Sequence, residues 1–321
     1  MRRILIIQTA FLGDVILITP LIQRCSERFP DAAIDVLVKK GNESLLANHP
    51  QVRKVFTFDK QGGKWKNMLG LIFRFRKEKY DLILNLQRFT TSGLIAGLSG
   101  AKKIVGFKKN PMSWLFSQRI AHDMENGQHE VDRNLQLLQS ICPVVVRKPK
   151  LYPSAAHLAN ILTFTRTPFI CLAPASVWKT KQAPEEIWLK VILSAPKETP
   201  IYLVGGEVDY DLCENIRLKS LSAHVLNLCG KLTLMETAAL FSFAHRVYVN
   251  DSGPLHIASA MNTPVSVFFC STIPDFGFGP LSDDSMIIEV KNLPCRPCGL
   301  HGKTNCPEGH FKCGTDLIIA S

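Results

Sequence analysis

The sequence predicts an α/β protein made of two doubly wound, parallel-sheet halves facing each other across a cleft. Short apolar runs alternate with helix-length stretches along the whole chain, which is the pattern of strands joined by crossover helices. The alternation breaks once, around Pro143, Pro149, Pro153 and Pro168, where periodicity is weak and the chain reads as an inter-domain linker. The 321 residues, 46% of them hydrophobic, suffice for two cores of ordinary size. The domains are therefore set at 1–155 and 156–321.

The first element, Ile4 to Ile7, is a buried strand running into the turn Leu12-Gly13-Asp14 and then a helix ending near Phe29-Pro30. Met1-Arg2-Arg3 ahead of an apolar run resembles a secretory signal only superficially. Gly13-Asp14 interrupts the run and no small-residue cleavage site follows. No stretch reaches the roughly 18 apolar residues that span a bilayer, so a cytoplasmic protein is expected. The remaining strands of this half are Ile34 to Val38, Val55 to Phe58, Leu82 to Leu86 and Ile104 to Phe107. Past the linker a second set follows, with Phe169 to Leu172, Ile201 to Val204, Val225 to Leu228, Val247 to Val249 and Val265 to Phe269, so the two halves are both Rossmann-like. Neither carries Gly-x-Gly-x-x-Gly after its first strand, which argues against a nicotinamide or flavin enzyme.

The net charge of +11 is unevenly placed: residues 1–150 hold 25 Lys+Arg against 12 Asp+Glu, residues 151–321 hold 13 against 15. A basic first half points to an anionic partner. Nucleic acid is the weaker choice, because no helix-turn-helix, zinc-finger or aromatic RNA-binding motif directs the charges. The run Lys64 to Lys79 interleaves bases with Trp65, Met68, Leu69, Leu71, Ile72, Phe73 and Phe75. It reads either as a basic amphipathic helix lying on a membrane surface or as a solvated helix face.

Ligands of open parallel sheets bind beyond the carboxyl ends of the strands. Asp14, placed at the first such end, is the candidate catalytic base; the alternative is an acid that merely starts its helix. In the second half, Val249-Asn250-Asp251-Ser252-Gly253-Pro254-Leu255-His256 reads as strand, tight turn and helix start. Asp251 or Ser252 can cap the helix, Gly253 admits close approach of a ligand, and Pro254 suits the first turn. The free amides there suit a phosphate, to which His256 can donate. The loop after Phe169 to Leu172 offers Ser176, Lys179 and Lys181, and Val204-Gly205-Gly206-Glu207-Val208-Asp209 offers Asp209 as an acceptor for ribose hydroxyls. A nucleoside diphosphate would satisfy all three loops.

These motifs, together with Tyr80 to Gln87, Gly100 to Phe107 and His129-Glu130-Val131-Asp132-Arg133-Asn134, resemble glycosyltransferase family 9, the ADP-heptose:lipopolysaccharide heptosyltransferases, heptosyltransferase II in particular. The resemblance covers nearly the whole chain. It implies a GT-B fold and inverting transfer of heptose from ADP-heptose to the inner core of lipopolysaccharide, either Kdo-lipid A or the first heptose. Asp14 would be the base, Lys181 and the turn Asp251 to His256, Leu255 included, would hold the diphosphate, and Asp209 or a close neighbour would meet the ribose. No cofactor would be needed for catalysis. The anionic lipid A core would meet basic residues of the first half, with Lys60, Lys64 and Arg133 as candidates, and the protein would sit peripherally on the cytoplasmic face of the inner membrane. A protein acceptor, or a nucleotide-binding module without activity, are the alternatives. Three departures stand out: Ala183 where the family commonly has Trp before Pro184, Asn85 where an acid often ends the strand, and a short tail after Leu317-Ile318-Ile319 where a terminal helix is usual.

Six of the ten cysteines are scattered in apolar surroundings and read as reduced core residues. The other four, Cys295, Cys298, Cys306 and Cys313, are dense enough for a structural zinc or iron knuckle. Four reduced thiols are the alternative.

Overall fold

A computed structural model describes every residue except Glu125, Val146, Ala320 and Ser321. The last two belong to the short tail noted above and lie outside the described residues. The chain forms two compact units, Met1–Tyr152 and Pro153–Ser321.

The first unit runs β1 (Arg3–Gln8), α1 (Leu12–Ile16), α2 (Thr19–Arg28), β2 (Ala33–Lys39), β3 (Val52–Phe58), α3 (Lys64–Glu78), β4 (Leu82–Asn85), α4 (Thr90–Gly97), β5 (Lys103–Phe107), β6 (Gln118–Ile120) and α5 (Glu130–Leu135). Its strands are all parallel, in the order β3-β2-β1-β4-β5-β6. Helices cover both faces of such a sheet, so central strands are buried throughout: Ile4 to Ile7 are all 0% exposed. Leu5, Ile7, Leu37, Phe56 and Ile83 form one core layer with Met68, Leu71, Ile72 and Phe75 of α3.

The second unit runs α6 (Ala155–Ile161), β7 (Ile170–Ala173), α7 (Glu185–Ser194), β8 (Ile201–Leu203), α8 (Tyr210–Ser220), β9 (Val225–Asn227), α9 (Leu234–Phe241), β10 (Arg246–Asn250), α10 (Gly253–Met261), β11 (Val265–Phe269), β12 (Ser285–Glu289) and α11 (Lys312–Thr315). Its parallel order, β12-β11-β10-β7-β8-β9, repeats that of the first unit. In both sheets the order reverses beside the first strand, between β1 and β4 and between β7 and β10. Such a switch point opens a crevice at the strands' carboxyl ends.

Three features depart from the sequence-based expectations. The expected single helix after β1 is split, with Leu17-Ile18 between α1 and α2 and the Thr19 hydroxyl donating to the Ile16 carbonyl (2.8 Å). The stretch read as linker contains α6, whose Asn160 amide donates to Glu236 of α9 (2.6 Å). Strands β6 and β12 escaped the sequence pattern because β6 is three residues with a single apolar one and β12 has only Ile288 buried, whereas β3 and β9, sheet edges too, carry readable runs.

Candidate active site

Asp14 lies in the first turn of α1, just beyond the carboxyl end of β1 at the first switch point. Its carboxylate accepts the Phe11 amide hydrogen (3.2 Å). Burial is the main cause that lifts its pKa to about 6, and the charge of Glu130 adds to the lift; backbone hydrogen bonds and Lys109 oppose it. A carboxyl group so poised is ionised at neutral pH yet basic enough to take a proton.

Glu130 is itself held ionised. Burial alone would raise its pKa, yet His122 and Arg133 bring it below the usual range. The Lys109 ammonium has only hydrogens to give, so it donates to His122 Nδ1 (2.8 Å), and His122 Nε2 donates to Glu130 (3.1 Å). Burial brings the Lys109 amine down to about 8.

Lys60 donates to the Thr9 carbonyl (2.6 Å), and Asn42 donates to that of Ala10 (3.1 Å), so both pin the loop that carries Asp14. Around it stand the exposed rings of Phe11 and Phe89, with Lys39 6.0 Å from the Phe11 ring and Lys60 and Arg88 5.6 and 5.5 Å from the Phe89 ring. Lys64 is exposed at the start of α3, over the Trp65 ring. Arg133, expected among the acceptor-binding bases, is 0% exposed and pairs with Glu130 (2.8 Å), so it orders that carboxylate. Asn85 is buried too, exchanging hydrogen bonds with the Gln87 backbone. Sequence reasoning gave no role to Lys39, Arg88, Lys109, His122 or Glu130; only the His129 to Asn134 motif hinted at the last.

In the second unit, Lys181 and Asp251 follow β7 and β10, the two strands that flank the switch point, and they meet: Nζ to Oδ2 is 2.6 Å. The Thr272 hydroxyl donates to the same Asp251 oxygen (2.6 Å). Asn250 fastens the two loops together, accepting from the Ala183 amide (2.9 Å) and donating to the Pro174 carbonyl (2.7 Å). Asn250 belongs to the strand-and-turn motif, yet the sequence alone gives it no role. Ser252 occupies the N-cap of α10 without a side-chain cap bond, its hydroxyl donating instead to the Asn250 carbonyl (3.3 Å). The capping role expected of Asp251 or Ser252 is therefore not made; Pro254 has no amide hydrogen and the Leu255 amide donates to the Ser252 carbonyl (3.1 Å), which leaves the Gly253 amide to meet an anion at this helix start. Gly253 and Pro254 are half-buried at this helix start.

The other expected donor residues divide. Ser176 is half-buried, with its carbonyl accepting from Gln182 (2.7 Å), and Lys179 is exposed. His256 is buried, edge-on to the Phe278 ring. The Leu255 side chain is 0% exposed and serves the core, so a ligand can reach only its backbone. Asp209 closes its own turn by accepting from the Gly206 amide (2.8 Å), and Glu207 is the exposed carboxylate there. Ala183 lends no aromatic wall: its carbonyl accepts from Trp188 (3.0 Å), whose ring is buried in the core.

The cysteine-rich segment lies against this site, although it is distant in sequence. Thr180 exchanges two hydrogen bonds with Lys303 (3.0 and 2.8 Å), and the Cys298 amide donates to Ser271 (2.9 Å). Gly302 leaves no room for a side chain, since a Cβ would stand 2.5 Å from Trp178 and 2.8 Å from Lys181. Arg296 donates twice to the Thr272 carbonyl (3.0 and 2.6 Å) and pairs with Glu289 (2.7 Å). Burial raises the Cys313 thiol to about 11, and Cys298, Cys306 and Cys295 each add to that, so the four sulfurs feel one another. Cys295 Sγ is also 3.9 Å from His310 Nε2. Among the described residues no group of three or more His, Cys, Asp or Glu side chains is drawn together as a bound metal would require.

A family model described as Glycosyltransferase family 9 (heptosyltransferase) matches residues 68–308. The chain is 26% identical to lipopolysaccharide heptosyltransferase 3 of Escherichia coli K12, over 81% of this chain and 80% of that protein. It is 28% identical to lipooligosaccharide heptosyltransferase 2 of Haemophilus influenzae, over 90% and 88%. The solved structure of E. coli ADP-heptose lps heptosyltransferase II superposes with a TM-score of 0.79 at 22% identity, covering 97% of each chain.

Proposed function

The chain belongs to glycosyltransferase family 9, and from that membership we propose that it transfers heptose from ADP-heptose, with inversion, to the inner core of lipopolysaccharide. The acceptor in this reading is Kdo-bearing lipid A or the first core heptose, met at the cytoplasmic face of the inner membrane. The observation that carries the reading is the Asp14 carboxylate, raised to about 6 at the switch point of a basic unit.

Asp14 takes the proton of an acceptor hydroxyl as that oxygen forms a bond to the anomeric carbon. The bond from this carbon to the diphosphate breaks on the opposite face, and ADP departs with the electron pair. Lys39, Lys60 and Arg88 supply positive charge for the acceptor's carboxylates and phosphates. In the second unit the Lys181 ammonium, steadied by Asp251, keeps hydrogens for the diphosphate beside the Gly253 amide that opens α10. The adenosine ribose falls to the Glu207–Asp209 turn. Incubation with ADP-heptose and each acceptor, read by ADP release and product mass, tests this. Absence of transfer to either glycolipid would overturn it, and the acceptor used assigns the step.

Cys295, Cys298, Cys306 and Cys313 suit a structural zinc or iron by donor type, since four thiols are the soft set such ions favour. A bound cation would hold them as thiolates and brace the loop that rests on Lys181. Purified protein should then carry about one such ion per chain. Metal-free protein of undiminished stability would sink the idea.

A further inference from the structure

We propose that the outer face of α3 is a docking surface for an anionic phospholipid bilayer. The inward face of the helix is committed to the core through Met68, Leu71, Ile72 and Phe75. The outward face nevertheless carries Trp65, Leu69 and Phe73, exposed at 64%, 50% and 62%. Spaced at i, i+4 and i+8, they form one continuous row along the helix. Single exposed apolar residues are ordinary, but a row of three on a helix that already has a buried face is not.

Charge selects the occupant. All five bases of α3 (Lys64, Lys66, Arg74, Arg76 and Lys77) are exposed; Lys64 lies 5.9 Å from the Trp65 ring and Lys66, Arg76 and Lys77 fall on the row's side of the helix, with Arg76 Nε also donating to the Leu98 carbonyl (2.7 Å), whereas Arg74 lies over the Phe56 ring (4.6 Å). Its one acid, Glu78, is turned away and taken up by Arg3 (2.8 Å) and Arg53 (3.1 Å). Asp59, ahead of the helix, is held by Lys40 and by the amides of Gln61 and Gly62. The row is thus bordered by positive charge with no carboxylate of the helix to balance it. A second copy of the chain would set like charge against like. An anionic lipid surface answers both parts, taking the three apolar side chains below the headgroups and the bases among the phosphates. Each base near such a surface is worth about fivefold in binding. The inference rests on the lipid-borne acceptor proposed above for its purpose, and on the helix itself for its chemistry.

The test is cosedimentation of the full chain with vesicles of phosphatidylcholine, with and without phosphatidylglycerol, none containing acceptor. Binding should require phosphatidylglycerol and weaken with added salt. It should fall at least tenfold in the Trp65→Ser/Leu69→Ser/Phe73→Ser variant, and severalfold in Lys66→Gln/Lys77→Gln. Both variants should keep wild-type transfer to a deacylated, water-soluble acceptor, which also reports that they fold. Equal binding to neutral vesicles, undiminished binding by the serine variant, or a dimer in sedimentation that the serine variant dissolves would each overturn the proposal. Vesicle binding without transfer would sink the functional reading and leave the docking surface standing; transfer without vesicle binding would do the reverse.

Discussion

Asp14 has a folded pKa of about 6 against an ordinary value of 3.8, and two consequences of opposite kind follow. As a base it works only when ionised, so kcat/KM should fall about tenfold per pH unit below about 6. As a half-buried, largely desolvated acid it favours folding most when protonated. That contribution is complete below pH about 4 and lost as pH rises through 6, so Asp14→Asn should stabilise the protein at neutral pH by on the order of 2 kcal/mol. The same variant should lose more than ~10²-fold in turnover while still binding ADP, because the donor residues lie on the other unit. Wild-type turnover would refute the assignment. The Lys109 ammonium lowers the Asp14 pKa, so Lys109→Met should move the acid limb of the rate profile upward, and an unmoved limb would exclude that coupling. Lys181→Met should weaken ADP binding roughly 10- to 100-fold, the worth of a charged hydrogen bond. It also strands Asp251, which is 6% exposed. Adding Asp251→Asn should therefore restore stability without restoring affinity, a non-additivity that calorimetry with thermal melts would show.

Among the elements, the segment that follows β12 has the most consequence for the donor site. Arg296 holds the Thr272 carbonyl, the Thr272 hydroxyl holds Asp251, and Asp251 holds Lys181. Arg296→Met should raise KM for ADP-heptose about 5- to 10-fold with a smaller change in kcat, although the side-chain hydrogen bonds of Arg296 go to Thr272, Val290 and Glu289, outside the proposed donor residues. Equal loss in both parameters would mean general damage instead. Helix α3 supplies a separate stability test. Gly70 lies in its interior, exposed, and a Cβ there would meet nothing within 4 Å. Gly70→Ala should stabilise the first unit by about 0.5–1 kcal/mol, readable as a rise of about 1–4 °C in Tm.

For the whole molecule, the imbalance of charge between the halves makes acceptor and donor respond differently to salt. Exposed bases such as Lys64 and Lys39's neighbour Lys40 act through solvent and are screened within about 10 Å at 0.1 M salt, whereas Lys181 is mostly buried in a short ion pair. Rising ionic strength should therefore raise KM for an anionic acceptor severalfold and change ADP affinity less. Equal sensitivity of the two would deny the basic first unit a role in capture. Among the described residues no helix is long and apolar enough to cross a membrane.

The sequence by itself determined the two parallel sheets, because central strands buried on both faces must read as unbroken apolar runs such as Ile4 to Ile7 and Val265 to Phe269. It also placed Asp14, Lys181 and Asp251 correctly at strand ends, since turn chemistry is local. It missed β6 and β12, which hold too few buried apolar residues to read as strands, and it could not show that the Arg133 and Leu255 side chains are interior. Only the tertiary structure decided that Lys181 meets Asp251, that Glu130 raises the pKa of Asp14, and that Gly302 and Arg296 lie under the donor loop. These depend on which strands neighbour one another and on what excludes water from a charge. Strand order is fixed by pairing between distant segments, and desolvation by everything packed around a group, so neither is written in the periodicity of any one stretch of chain.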